Sequence, residues 1–583
     1  MALRESPFSN GFVEGLHALG WGLILPCFWF LDRLIAVCMS TSLERKQRQE
    51  QECYLHPLKV FFGSIVFFVL FVITAPIAFL GFLLWAPLQA ARQPFSYHRE
   101  VPSLSLEDRN VGWEEAGRVT FGFVTANLCL LPDSLARFNN LGHTQRRAAA
   151  IGKNIVQGVN RPHIRIFVDS PSSCGTLSPS SSLLPQSAPT SYGSIEAGAQ
   201  SNTTDRTEGN PCADMVASSP CDDDVCFSPP SARPNHQQPS VTNSNQNSNQ
   251  QGGRGRRHPP RAFQTLGKDS DVPVEVSTLF PAGVDIVCLE EVFDKRAARK
   301  LTNALAPLFG HVLYDVGIYA CHPPGRCSSF KFFNSGLFLA SRYPILEAQY
   351  HCFPNSRGED ALAAKGLLTV KLQLGLERRE KKMVGYFNCT HLHAPEGDGE
   401  IRCEQLNMIT DWIDEFQGTT KQEDELVMFD VLCGDFNFDN CSPDDKLEQT
   451  HRLFEKYRDP CRAGPGKEKD WVIGTLLEQP SLYDEHVSTP ENLQRTLERE
   501  ELRKEYIAPP VPLKDTPHEY PEPGKPWVGR RIDYILYRES SLAKLCQTEV
   551  EEYTYVTQLA GLTDHIPVGL RLNVNLGSDD NEP

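Results

Sequence analysis

Eighteen cysteines are present, yet the chain lacks the spacing that would make them a metal framework: it has no Cys-x-x-Cys pair and no Cys/His zinc pattern. Disulfide scaffolds belong to short secreted chains, and 583 residues bury a large core, or more than one domain, without staples. Cys129, Cys288 and Cys433 stand inside apolar strand-like runs, where a free thiol behaves as a small buried hydrophobe. These features favour a catalytic domain in a reducing compartment, facing the cytosol. Basic excess is also missing: 57 Lys and Arg stand against 73 Asp and Glu, a net charge of -16. A dedicated nucleic-acid binder needs a basic face for phosphates, so that class is disfavoured. No internal repeat is visible, and no small-residue cleavage site follows a basic start, so no cleaved signal peptide is expected. Asn202-Thr203-Thr204 and Asn388-Cys389-Thr390 match the glycosylation pattern, a motif too short to carry weight.

Charge is absent altogether from Phe61 to Leu88, a run of 28 residues. That is far beyond what a soluble core helix needs and enough to span a bilayer with tilt. Pro76 near its middle leaves open a bent pair of half-helices. A weaker segment, Leu16 to Met39, is interrupted by Asp32-Arg33, a pair expensive at mid-bilayer, which predicts an interfacial position. Residues 1–100 therefore form a membrane-associated region whose number of crossings stays open. Arg33 near the end of the first segment, Arg45, Lys46 and Arg48 between the two, and Arg92 after them cluster beside the segments. Such cations bind anionic phospholipids such as phosphatidylserine, each contributing about 1 kcal/mol, or they simply set topology. Glu44, Glu50 and Glu52 dilute the patch. Cys27, Cys38 and Cys53 stand where juxtamembrane palmitoylation occurs.

Globular sequence begins near Trp113. From about 170 to 261 the composition collapses into Ser, Pro, Asn, Gln and Gly, which predicts a disordered insert between 113–169 and 262–583, two parts of one catalytic domain. Strands are expected at Arg118–Leu130, Val284–Leu289, Ser335–Ala340, Met383–Thr390, Met428–Cys433 and Arg531–Leu536. Helical patterns occupy Phe293–Leu305 and Glu400–Phe416. Many strands with a few helices point to a layered α/β sandwich.

Polar residues fall repeatedly at the ends of these strands: Asn127, Glu290-Glu291, His391 and His393, Asp435 and Asn437, Asp533, and Asp564-His565. Each alone has a dull explanation, since Gly-Asp is usually a turn. The ordered set Asn127, Cys-Leu-Glu290-Glu291-Val, Asn334-Ser-Gly-Leu, Thr-His-Leu-His393-Ala, Gly-Asp435-Phe-Asn437, Arg-Ile-Asp533-Tyr and Asp564-His565 resembles the endonuclease/exonuclease/phosphatase superfamily. That resemblance implies a four-layered α/β sandwich with the site at one edge. The two N-terminal hydrophobic segments, the long insert and Gly-Glu-Asp360-Ala-Leu-Ala-Ala-Lys365-Gly resemble, within it, the membrane-bound neutral sphingomyelinases. This implies hydrolysis of sphingomyelin in a bilayer to ceramide and phosphocholine, with acidic phospholipids as activators. It further implies palmitoylation and residence at the Golgi and the cytosolic face of the plasma membrane.

Phosphodiester hydrolysis needs a water nucleophile, a base and positive charge on the phosphoryl oxygens. Glu291 is the expected ligand of Mg²⁺, with Mn²⁺ as a substitute, because in the family motif the ligand directly precedes Val; Mg²⁺ favours hard oxygen donors. Asn127 is expected to hold the metal or its water, and Asp564 to complete the metal or hydrogen-bond shell. His565 is the expected base, oriented by Asp533. Asp435 and Asn437 would position the nucleophile, while Asn334 and His393 donate to phosphoryl oxygens. In the family match, Asp360 and Lys365 form a loop switch; the alternative is a surface ion pair worth almost nothing. An inositol phospholipid phosphatase of the same fold would need a basic pocket beside Gly-Asp435-Phe-Asn437, and none accompanies it. A scaffold that had lost activity would show decay at these positions, which are all present.

Overall fold

The computed structural model describes residues 3–50, 55–101, 117–161, 272–320, 330–378, 381–513, 527–538 and 546–576; the insert expected at 170–261 lies outside them, as does Cys53. The N-terminal region is a helical hairpin. Helix α1 (Gly11–Cys38) begins at Asn10, whose side chain accepts from Phe12 N at 2.8 Å and so satisfies one orphan helix donor. Helix α2 (Ser42–Glu50) is short and polar, and α3 (His56–Leu88) runs unbroken through Pro76. The half-helix alternative is therefore not what forms.

Helices α1 and α3 pack antiparallel, with Gly20 against Trp85, Cys27 against Phe71 and Cys38 against Ser64. At the close crossing, a Cβ on Gly81 would lie 2.7 Å from Gly20 O, so the missing side chain lets the backbones meet. Both helices are long and apolar enough to cross a membrane. The Asp32-Arg33 pair does not force α1 into the lipid interface. Asp32 is buried, accepts from Ser134 N at 2.8 Å, and shares Arg33 with Asp133 at 2.7 and 3.2 Å. Protein, not lipid, solvates the charges, while α3 exposes Phe61, Phe68, Ile73, Phe79 and Leu83.

The basic residues divide. Arg45 and Lys46 are exposed, and Arg48 reaches Ser40 Oγ at 2.9 Å. Arg33 is tied to its two aspartates. Arg92 departs from the expectation of a lipid-facing cation: its side chain is 3% exposed and it donates to Asp315 Oδ2, Asp315 O and Gly317 O at 2.8, 2.7 and 3.0 Å. Cys38 is exposed and Cys27 buried.

The catalytic domain is a sandwich of two sheets. Strands β1 (Ser96–Arg99), β2 (Arg118–Asn127), β3 (Val274–Ser277), β4 (Ile286–Glu290), β5 (His311–Tyr314), β6 (Phe338–Ser341), β14 (Cys546–Val556) and β15 (Val568–Leu576) form the larger, in the order β1-β5-β6-β4-β2-β15-β14-β3. The smaller has the order β13-β10-β9-β8-β7, from β7 (Ile345–Cys352), β8 (Gly366–Arg378), β9 (Lys381–His391), β10 (Glu425–Asp435) and β13 (Asp533–Tyr537). A two-stranded ribbon, β11 (Arg462–Gly464) and β12 (Lys467–Glu468), stands apart. Inward-facing Phe121, Phe123, Val370, Phe387 and Val431 fill the space between the sheets. Helices Thr144–Val159 and Lys295–Phe309 cover the outer face of the larger sheet, and Gly399–Thr420 covers that of the smaller. The four layers expected from the sequence are thus present. Strand β2 lies between β4 and β15 in mid-sheet, so the segment before the long insert is integral to the domain.

Candidate active site

Side chains along a strand alternate between faces, and that alternation builds the site. In β2, Phe121 and Phe123 point between the sheets, whereas Val124 and Ala126 meet the outer helices. The next inward positions are Thr125 and Asn127. Likewise Cys288 precedes Glu290 in β4, Cys389 precedes His391 in β9, and Cys433 precedes Asp435 in β10. The inward apolar rows stop at one end of the sandwich and polar atoms continue them. Register does the rest: Asp435 is paired with His391 on one side and Asp533 on the other, and Asn127 with Glu290. Gly434, at φ +140°, lets β10 run against β9, since a Cβ there would strike Thr390 O.

His565 enters from the turn before β15. Its Nδ1 lies 2.9 Å from Asp533 Oδ2 and its Nε2 lies 4.0 Å from Asp435 Oδ2. Burial disfavours the charged ring, but Asp533, Asp435 and Asp564 together outweigh it and raise the pKa well above the usual histidine value. Asp435 is itself raised, chiefly by burial. Asn127 donates to Asp435 Oδ2 at 2.9 Å and to Glu291 Oε1 at 3.1 Å, so it bridges this histidine-bearing side to a second, acidic one.

On the acidic side the adjacent glutamates are not on opposite faces. Glu290 ends the strand, and Glu291 takes a left-handed backbone at φ +58° that returns its carboxylate to the same side. Non-glycine residues in that region cluster at functional sites. Glu290 is fully buried, its Oε1 taken by Thr125 Oγ1 at 2.7 Å, and burial pushes its pKa well up. Burial and the neighbouring Asp564 raise Glu291 to about 7. Glu291 Oε2 and Asp564 Oδ1 are buried and have no hydrogen-bond partner among the described residues. Two buried carboxylate oxygens without donors, on residues close enough for Asp564 to raise the Glu291 pKa, fit a hard divalent cation.

Asn334 reaches the same end of the sandwich. Its Nδ2 donates to Asp315 Oδ1 at 3.1 Å, its Oδ1 accepts from Gly336 N, and Val292 N, next to Glu291, donates to Gly336 O at 2.8 Å. The same amide also contacts the Tyr319 hydroxyl, so Asn334 belongs to the Asp315–Tyr319 cluster. Asn437, also left-handed at φ +55°, donates to Leu392 O at 3.0 Å. Asp360 and Lys365 are not a surface pair: both are buried, 2.9 Å apart. Lys365 Nζ also donates to Leu392 O at 3.0 Å, and Asp360 accepts from Ala394 N at 2.7 Å. Burial raises the Asp360 pKa, but Lys365 and His393 more than reverse it, leaving the carboxyl well below its usual range.

The structure places His391, rather than His393, against Asp435, with Nε2 to Oδ2 at 3.6 Å. His391 is the last residue of β9 and keeps its inward parity; His393 lies past the strand end and is held by Asp398 at 2.8 Å and Asp360 at 3.3 Å. Burial lowers the His391 pKa well below its usual value, with Lys365 adding to the effect. Asp315 is a further residue the motifs do not reveal. It gathers Asn334, Arg92 and Lys295, the last at 3.5 Å. Beneath the site the thiols of Cys288, Cys389 and Cys433 lie within 4.8 Å of one another, buried between the sheets.

Residues 245–565 match the Endonuclease/Exonuclease/phosphatase family, and residues 12–91 match the neutral sphingomyelinase N-terminal transmembrane region. The chain is 67% identical over 581 residues to sphingomyelin phosphodiesterase 5 of Danio rerio, covering 100% of both. It is 41% identical over 673 residues to sphingomyelin phosphodiesterase 3 of Homo sapiens, again covering 100% of both. Similar solved structures include a beta toxin of Staphylococcus aureus (18% identity, TM-score 0.30, covering 49% of this chain and 86% of that one). The chain belongs to the endonuclease/exonuclease/phosphatase family and, within it, to the sphingomyelin phosphodiesterases, and it carries their membrane-associated N-terminal region.

Proposed function

We propose that the protein is a Mg²⁺-dependent neutral sphingomyelinase that hydrolyses sphingomyelin to ceramide and phosphocholine at a membrane surface. The observation that carries this is the Asn127 bridge, with the His565–Asp533 pair on one side and the two unpartnered carboxylate oxygens of Glu291 and Asp564 on the other. Glu291, Asp564 and Asn127 would hold Mg²⁺, or Mn²⁺ in its place, which supplies positive charge to the phosphoryl oxygens.

Neutral His565 takes a proton from the attacking water at Nε2, and Asp533 on Nδ1 fixes the tautomer and stabilises the imidazolium. Asp435 faces that Nε2 across 4.0 Å and, with Asn437, orients the water. Asn334 and His391 donate to phosphoryl oxygens; His393 acts from behind by tying the Leu392–Ala394 turn to Asp360 and Asp398. The phosphorus–oxygen bond to ceramide then breaks, its electron pair going to the ceramide oxygen, which is protonated by water, and phosphocholine carries away the oxygen of the attacking water. Asp360 and Lys365 act as a switch by clamping that turn.

Anionic phospholipids such as phosphatidylserine bind the outward cations Arg45, Lys46 and Arg48, with Arg33 at their margin. Cys53 is palmitoylated, and the protein resides at the Golgi and the cytosolic face of the plasma membrane. The paired hydrophobic segments, the long insert and the Asp360–Lys365 segment also resemble neutral sphingomyelinase 2 in particular; the relatives support the broader assignment to phosphodiesterases of type 5 or type 3.

Purified full-length protein, assayed on sphingomyelin in mixed micelles with Mg²⁺ or EDTA and alongside His565→Ala, tests the proposal. Release of phosphocholine that needs both metal and His565 is expected. Metal-dependent release from phosphatidylcholine or an inositol phospholipid instead would sink the substrate assignment.

A further inference from the structure

A cavity of about 340 Å³ lies between the membrane hairpin and the catalytic domain, at the lower end of the roughly 300–1,000 Å³ typical of small-molecule sites. One wall is membrane helix: Trp21 and Leu25 from α1, and Phe82 and Trp85 from α3. The other is catalytic domain: Tyr319 and Phe333, ending at Asn334. The apolar groups on α3 that face outward, Phe79 and Leu83, are 61% and 54% exposed, so the same helix serves bilayer and cavity.

Asp32, Asp294 and Lys331 also line the cavity, and two further polar features bear on what it could hold. Trp85 is 5% exposed, and its buried indole Nε1 has no acceptor among the described residues. A buried donor left unpaired is costly and wants an acceptor. At the rim stand Lys295, Arg296 and Arg299, with Lys295 Nζ over the Trp21 and Tyr319 rings at 4.7 and 4.4 Å. Apolar walls continuous with the lipid face, one idle donor and a cationic rim leading to Asn334 describe one occupant: the upper hydrocarbon chain and linkage of a lipid phosphodiester, with its phosphate toward the site.

We propose that this cavity is the lipid-backbone subsite of the enzyme, receiving one chain of sphingomyelin drawn from the bilayer and offering Trp85 Nε1 to the amide carbonyl. The proposal rests on the sphingomyelinase reading and extends it, because the membrane helices then act as half of the substrate site as well as an anchor. Two lipids follow different rules here. An amide-linked chain satisfies Trp85, whereas an ether-linked chain, with no carbonyl, leaves it unpaired.

The test uses full-length His565→Ala protein, which leaves the lipid uncleaved, in phosphatidylcholine vesicles containing sphingomyelin with a diazirine on its acyl chain. Photolysis should label Tyr319 and the Phe330–Phe333 segment as well as α3, and Leu25→Trp, which fills the cavity, should cut labelling of the catalytic wall at least fivefold. Labelling confined to the outward positions Phe79 and Leu83, and indifferent to Leu25→Trp, would overturn the proposal. In the active enzyme, Trp85→Phe keeps the ring and removes only the donor. It should lower the kcat/KM ratio of sphingomyelin over an ether-linked analogue about fivefold; an unchanged ratio would remove the role given to Trp85. Labelling of the wall by a lipid that the active protein does not cleave would keep the subsite and refute the sphingomyelinase reading, so the two failures are distinct.

Discussion

Arg92, four residues past the end of α3, closes on Asp315 at 2.8 Å, and Asp315 in turn holds Asn334 at 3.1 Å. A cation at the foot of a membrane helix is thereby linked to a side chain of the candidate site through one carboxylate. Burial opposes the charge on Asp315, but Lys295 and Arg92 keep its pKa well below the usual range. Breaking such a buried pair from one side costs about 3–5 kcal/mol, less here because Lys295 remains. Arg92→Ala is expected to lower the unfolding temperature and to reduce kcat about tenfold, while binding to phosphatidylserine vesicles stays close to wild type. Equal losses of vesicle binding and kcat would return Arg92 to the lipid surface.

His565 supplies the clearest pH signature. Its folded pKa is raised, so the proton stays on the ring to higher pH than in the unfolded chain. The stabilising contribution of the His565–Asp533 pair is therefore full below the unfolded value and is lost as pH rises through the folded one. Catalysis has the opposite sign, because the base must be neutral: kcat/KM should rise with pH through the His565 pKa. His565→Ala is expected to lose about 10²–10⁴-fold in kcat. Asp533→Asn removes the carboxylate that raises the ring's pKa, so its acid limb should move to lower pH even as the maximum falls. A limb that stays in place in Asp533→Asn would count against this pairing.

The parity of strands explains what could be seen in the sequence. Apolar rows with period two, such as Phe121, Phe123 and then Thr125, Asn127, announce both an inward face and the residue that emerges at its end. The same logic finds Asp435 and Asp533, which register then sets abreast. It fails where the chain leaves the strand. His391 and His393 are two apart and share parity on paper, but β9 ends at His391 and the rule ends with it. Glu290 and Glu291 fail in reverse, since a left-handed residue undoes the expected alternation. Asp315 belongs to no motif, and its meaning depends on Arg92, more than two hundred residues earlier, whose charge by itself indicates only a membrane-proximal cation.

Asp360 and Lys365 offer a separation of stability from activity. Asp360→Ala leaves the Lys365 ammonium buried without its carboxylate, costing about 3–5 kcal/mol, and frees Ala394 N. The double variant Asp360→Leu with Lys365→Met removes both charges, and well-packed apolar replacements of a buried pair are often neutral or better. Thermal unfolding of the double variant should recover most of the loss. Its kcat should not, because Lys365 no longer holds Leu392 O, the atom that also receives Asn437 Nδ2. Recovery of activity along with stability would mean that the pair serves the fold alone.

Glu291 makes the metal prediction independent of turnover. A carboxyl raised by burial to about 7 holds its proton more tightly folded than unfolded, so metal-free protein loses stability as pH rises from the unfolded value through about 7. A divalent cation must displace that proton. Its apparent affinity should fall about tenfold for each pH unit below 7 and level off above it. Glu291→Gln removes the ionisation, and at pH 8 without metal the variant should unfold at a higher temperature than wild type. Adding Mg²⁺ should raise the wild-type unfolding temperature, as binding to the native state alone requires, and leave Glu291→Gln almost unmoved. If Mg²⁺ shifted both proteins equally, Glu291 would not be a ligand, and the acidic cluster of Asp435 and Asp533 beside His565 would be the place to look for the ion.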